Sequence, residues 1–177
     1  MTAVLTLLLA APWRAGALTV LPATFDELVR ESQAVVYGRV LAVEGRWTAD
    51  RRTIESVVTL AAVEHFKGAA TETTTFRVPG GEAGGRRLIV AGGPAFTPGD
   101  AVVVFLRGQV PAMPSPVGLS LGVYRVAPDP RSGALLVVPT PVRAADAPGR
   151  VMRGGPGRSV QALAAFGAAV RAVKEQP

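Results

Sequence analysis

Between Val78 and Leu106 the chain reads VPGGEAGGRRLIVAGGPAFTPGDAVVVFL, and its glycines and prolines leave no window in which a helix can grow. A proline inside a helix costs about 3 kcal/mol relative to alanine and a glycine about 1 kcal/mol, so this punctuation selects short strands and turns. Pro79-Gly80-Gly81 turns the chain, residues 87 to 91 form a short strand, and Gly92-Gly93-Pro94 turns it again. Thr97-Pro98-Gly99-Asp100 carries proline and glycine where a type II turn needs them. Ala101 to Leu106, AVVVFL, is apolar at every position and is expected to be a central strand covered on both faces.

The flanking segments add to this unit. Thr24-Phe25-Asp26-Glu27 has the spacing of a capping box, in which the Thr24 hydroxyl accepts from the Glu27 amide and the Glu27 carboxylate accepts from the Thr24 amide. A short helix follows, ending near Gln33, with Phe25, Leu28, Val29 and Ser32 on one side. Residues 34 to 47 and 53 to 66 are two long β-prone runs joined by a polar turn, hence a hairpin. Neither alternates cleanly, which predicts a bulge or a second covering layer, with Gly38 and Gly45 as bend points. Further strands are expected at 74 to 78, 119 to 126 and 134 to 138, the last two around the turn from Pro128 to Gly133.

From Pro139 to Arg158 the composition is that of an irregular linker, after which Ser159 can cap a helix striped by Val160, Leu163, Phe166, Val170 and Val173. The fold class is therefore mainly β: a small antiparallel, OB-like barrel or a sandwich, with a short N-terminal helix and a C-terminal amphipathic helix. An α+β sheet with the C-terminal helix on one face is the alternative. No internal repeat is present.

Residues 3 to 11 are an apolar run of nine followed by Pro12 and by Ala15-Gly16-Ala17, a small-x-small cleavage pattern. A membrane span needs about 20 apolar residues, so 1–17 reads as a secretory signal peptide, despite an n-region without Lys or Arg. The organisation expected is a leader at 1–17, a β-barrel domain at 18–138, a linker at 139–158 and a terminal helix at 159–177. The mature chain is then secreted or periplasmic, with no transmembrane segment. Its size suffices for a core without metals or disulfides, and it has no cysteine.

The net charge of +6 belongs mostly to the tail. Residues 140 to 177 hold six basic and two acidic side chains, whereas residues 18 to 139 hold 12 basic and 11 acidic ones. A nearly neutral body argues against nucleic acid, which demands an electropositive track.

Catalytic patterns fail on context. Gly118-Leu119-Ser120-Leu121-Gly122 matches a nucleophile elbow, but an elbow needs strand, turn and helix, and the single histidine, His65, precedes the serine. His65, Asp100 and Ser120 do run in the order of chymotrypsin-like barrels, so a serine hydrolase using Ser120 and His65 stands as an alternative. No metal site is expected, because His65 has no histidine or cysteine to join it and no acidic calcium loop exists. PGGEAGG at 79 to 85 lacks the G-K-[ST] ending of a phosphate loop and opens no helix. Glu44, Glu55, Glu64, Glu72 and Glu82 show no spacing that pairs two of them for glycoside hydrolysis. No cofactor is implied. The candidate binding residues are Arg46, Trp47, Arg51, Arg52, Arg86 and Arg87, placed at two loop tips.

FDELV at 25 to 29, AVVYGRV at 34 to 40, HFKG at 65 to 68, VPGG at 78 to 81, GPAF at 93 to 96, GDAVVVFL at 99 to 106 and LGVYRV at 121 to 126 resemble an uncharacterised family of exported bacterial β-barrel proteins. More remotely, the helix followed by a V-V-x-G-x-V strand is similar to the netrin-like, OB-type domain of tissue inhibitors of metalloproteinases. Those inhibitors chelate the protease zinc through an N-terminal cysteine, which this chain lacks. The resemblance implies an exported, non-enzymatic binding or structural domain whose partner is another exported or envelope protein, with a protease inhibitor-like module as a variant.

Overall fold

The computed structural model describes residues 24–108, 112–140, 142–143, 151–152 and 159–173. The signal-peptide segment and most of the expected linker lie outside these residues. The fold is mainly β, with two helices: α1 at Phe25–Glu31 and α2 at Leu163–Ala172. The strands are β1 Ala34–Trp47, β2 Ile54–Lys67, β3 Thr73–Pro79, β4 Gly81–Ala83, β5 Arg86–Leu88 and β6 Ala101–Arg107. They continue as β7 Ser115–Pro116, β8 Val123–Pro128, β9 Leu135–Pro139, β10 Val142–Arg143, β11 Val151–Met152 and β12 Gln161–Ala162.

One antiparallel sheet runs β12-β9-β8-β6-β1-β2-β3, with β7 also on β6. β6 occupies its middle, as an all-apolar strand should. The sheet then curls: the Arg77 amide of β3 donates to the Pro114 carbonyl beside β7 at 2.9 Å, so β6, β1, β2, β3 and β7 form a barrel-like ring. Val36, Val40, Val58, Leu60, Phe76, Val78, Val102, Val104 and Leu106 fill its interior. The alternate residues of β6, Val103 and Phe105, face outward into a second core made with Leu28, Val29, Tyr124, Phe166 and Val170. Both helices lie on that outer face, which is why β6 tolerates no polar position before Arg107.

The local signals explain the elements. Thr24 and Glu27 form the reciprocal capping box, and α1 ends when Ser32 turns extended. The β1–β2 register slips at Val35/Val36, Tyr37/Gly38 and Val40/Ala42, which bends the long hairpin around the interior. The Asp100 amide donates to the Thr97 carbonyl at 3.0 Å with Gly99 at φ +94, the geometry of a type II turn.

Three local expectations change. Leu119–Gly122 is a 3-10 turn and not strand, because Gly118 and Leu119 both adopt positive φ. The strand expected at 87–91 is displaced to Arg86–Leu88, paired with β4. Ser159 does not cap α2, because Gln161 and Ala162 first pair with Val137 and Leu136 of β9, delaying the helix to Leu163. Within the expected linker, β10 pairs with β11.

Candidate functional site

The first hairpin and the β4–β5 ribbon meet at one end of the barrel. The ribbon is a two-residue hairpin whose Gly84 and Gly85 sit at φ +59 and +72, the conformation that a type I′ turn requires. Its β4 strand crosses directly over Gly45 of β1. A Cβ built on Gly45 would stand 1.9 Å from the Glu82 carbonyl oxygen and 2.9 Å from the Glu82 nitrogen. At the ribbon tip, a Cβ on Gly84 would lie 3.3 Å from Nε1 of Trp47. The structure thus places Trp47 beside the ribbon that carries Arg86 and Arg87.

The ribbon's feet are held by two buried serines. Ser56 Oγ donates to the Gly80 carbonyl at 2.8 Å, and the Gly80 amide donates to the Ile54 carbonyl at 2.8 Å. At the other foot, Ser120 donates to the Gly92 carbonyl twice, from Oγ at 2.7 Å and from its amide at 3.2 Å. Ser56 and Ser120 are 6% and 4% exposed, and a buried hydroxyl needs such a partner.

Beneath the ribbon lies a cleft of about 490 Å³, within the range of pockets that take small molecules or side chains. Val43, Val78 and Phe96 make its apolar floor, continuous with the barrel interior, while Glu82 and Arg87 stand at its edge. Phe96 packs edge-on against Phe76 with centroids 5.4 Å apart. Arg125 holds the Phe96 loop by bonding Asp100 and the Ala95 carbonyl and by lying 5.9 Å from the Phe96 ring centre. Ile89, on the lining of this cleft, is 79% exposed, and Trp47, beside the ribbon tip, is 36% exposed.

The six candidate residues separate into two kinds. Arg46 is committed to Glu55, with Nε at 2.9 Å and a terminal nitrogen at 2.8 Å, and Glu55 also faces Arg77 at 3.6 Å. This trio ties β1, β2 and β3 together. Arg51, Arg52, Arg86 and Arg87 are exposed and form no ion pair among the described residues. At the hairpin tip, the Thr48 hydroxyl and the Arg52 amide hold the Asp50 carboxyl below its ordinary range. The places of Ser56, Phe96 and Ile89 at this site are not legible in the sequence, because a serine in a β-run, a loop phenylalanine and an isoleucine beside RRL carry no local signal of a cleft.

The hydrolase residues hold separate partners. Ser120 is bonded to Gly92, Asp100 to Arg125, and His65 lies 3.4 Å from the Thr71 hydroxyl. Among the described residues, no group of three or more metal-ligating side chains forms. No helix among them is long and apolar enough to cross a membrane. Comparison with protein-family models, with curated proteins and with solved structures found no match.

Proposed function

We propose that this chain is an exported, non-enzymatic binding domain that engages another exported or envelope protein through the face built by the β1–β2 tip and the β4–β5 ribbon. The observation that carries this reading is the crossing of Glu82 over Gly45, which brings the ribbon bearing Arg86 and Arg87 against β1 beside Trp47 and makes an arginine- and tryptophan-bearing rim, with Arg51 next to Trp47 in the hairpin tip and Ile89 exposed along the cleft. Protein interfaces are enriched in tryptophan and arginine around a desolvated apolar centre, and this rim has that composition. The engagement of Ser120, His65 and Asp100 with three different partners supports a binding role over hydrolysis.

The test is a photo-crosslinking amino acid at Ile89, with the same group at Val63 as control, in the cell that produces the protein. Val63 is 68% exposed on β2 and lies outside the rim. An adduct of defined mass from Ile89 alone, lost on exchanging Arg86 and Arg87 for glutamate, supports the assignment. Absence of an adduct, or the same adduct from both positions, overturns it. Export is checked separately by N-terminal sequencing, which is expected to begin at Leu18.

A further inference from the structure

Residues 81 to 93 form a stretch of chain with no buried residue. Yet the stretch does not hang free. Both feet are pinned at glycine carbonyls, Gly80 by Ser56 and Gly92 by Ser120, and its crossing point on β1 is the bare Cα of Gly45. The feet also carry the conformational freedom of hinges: Gly80, Gly81 and Gly92 have φ of +89, +129 and +71. Under the stretch, Val78 lines the cleft while remaining 4% exposed.

We infer that the β4–β5 ribbon is a hinged arm that gates the cleft, closed in this structure by seating Glu82 on Gly45, with Ser56 and Ser120 as the latches that fix its feet. This gives the G-x-S-x-G serine a role that needs no nucleophile: its hydroxyl proton is directed at a backbone carbonyl, where it sets the hinge position. It also explains why β1 has a glycine at 45. A strand interior gains nothing from glycine unless another backbone must approach, and here Glu82 approaches closer than any side chain allows. The inference concerns the arm and stands apart from the identity of any partner.

Gly45→Ala is the direct test, because its methyl group occupies the seat. The chain has no cysteine, so single cysteines report cleanly. Maleimide labelling of Val78→Cys is expected to accelerate at least tenfold when Gly45→Ala is added, while Val137→Cys, buried in the outer core, keeps its rate. An unchanged rate at Val78→Cys overturns the inference. Acceleration at both sites would mean general unfolding, and then a second measurement in the chain with Gly45 intact decides. Nitroxide labels at Ala83→Cys and Leu135→Cys should give a broader distance distribution than labels at Thr75→Cys and Leu135→Cys. Equal widths overturn the hinged arm.

Discussion

The Phe166 ring lies 5.1 Å from the Tyr124 ring, edge to face, and is completely buried between Phe25, Phe66, Phe105 and Tyr124. A residue of the terminal helix therefore occupies the centre of the outer core. The helix is part of the same body as the sheet, and β12 secures it by pairing with β9.

Phe166→Ala is accordingly expected to lower unfolding free energy by about 3–5 kcal/mol, the usual range for emptying a fully buried aromatic site. Urea titration with the unfolding slope unchanged would show this as a shifted midpoint. A change under about 1 kcal/mol would mean that the outer core stands without α2.

Gly38 and Gly133 separate steric from conformational need. A Cβ on Gly38 would fall 2.3 Å from the Ala61 carbonyl oxygen, a backbone atom in the hairpin that cannot yield without moving the register. Gly133 has φ +72 but nothing within 4 Å. Gly38→Ala should cost about 1–3 kcal/mol and broaden amide signals along β1 and β2. Gly133→Ala should cost only about 1 kcal/mol, the strain of a left-handed alanine.

Local devices were legible in the sequence because their partners lie within a few residues. The Thr24–Glu27 box, the Thr97–Asp100 turn and the first hairpin all formed as their spacing requires. AVVVFL could be assigned two covered faces because no polar residue interrupts it, though its neighbours could not be named. What failed was non-local. Nothing near Ser159 reveals that Gln161 and Ala162 will be claimed by β9, and nothing near Ser120 reveals Gly92 across the fold. Gly45 was recognisable only as a bend point, because the backbone that approaches it belongs to a ribbon 37 residues later in sequence. The cleft beneath the ribbon arises from the packing of residues 78–82 and 87–96 over Val43, Gly45 and Ser56, which no local pattern reveals.

Arg125 joins the Phe96 loop to β8 through Asp100, the Ala95 carbonyl and the Phe96 ring. Arg125→Ala should cost about 1–2 kcal/mol, at the low end for charged hydrogen bonds because both partners are about one third exposed. Its local signature is more diagnostic: the Phe96 and Phe76 ring resonances should shift together, while Phe166 stays unchanged. Arg125→Lys should fail to restore them, since an ammonium cannot span two acceptors as a planar fork does.

Ser120 supplies a chemical test. Its hydroxyl is buried and already donates to Gly92, so a serine-reactive fluorophosphonate is expected to leave the folded protein untagged. Mass spectrometry reads this directly, and a stoichiometric tag abolished by Ser120→Ala would establish a nucleophile. Ser120→Ala should instead cost about 1 kcal/mol, the value of a neutral hydrogen bond.

The capping box predicts an acid-sensitive N-terminal helix. The Thr24 amide, and secondarily its hydroxyl, hold the Glu27 carboxyl below its ordinary range, so the folded form prefers the carboxylate. A carboxyl whose folded pKa is depressed contributes stability above its unfolded pKa and loses it as pH falls through the folded value. Asp129, held down by the Arg131 amide and then by Ser132, has the same sign. Melting temperature should therefore fall as pH drops from neutral through the carboxylate range. Glu27→Gln, which keeps an acceptor for the Thr24 amide but cannot titrate, should make that decline shallower without removing it. NMR titration of the Glu27 carboxyl gives the decisive reading: a midpoint at or above the ordinary glutamate value would show that the box is not formed in solution.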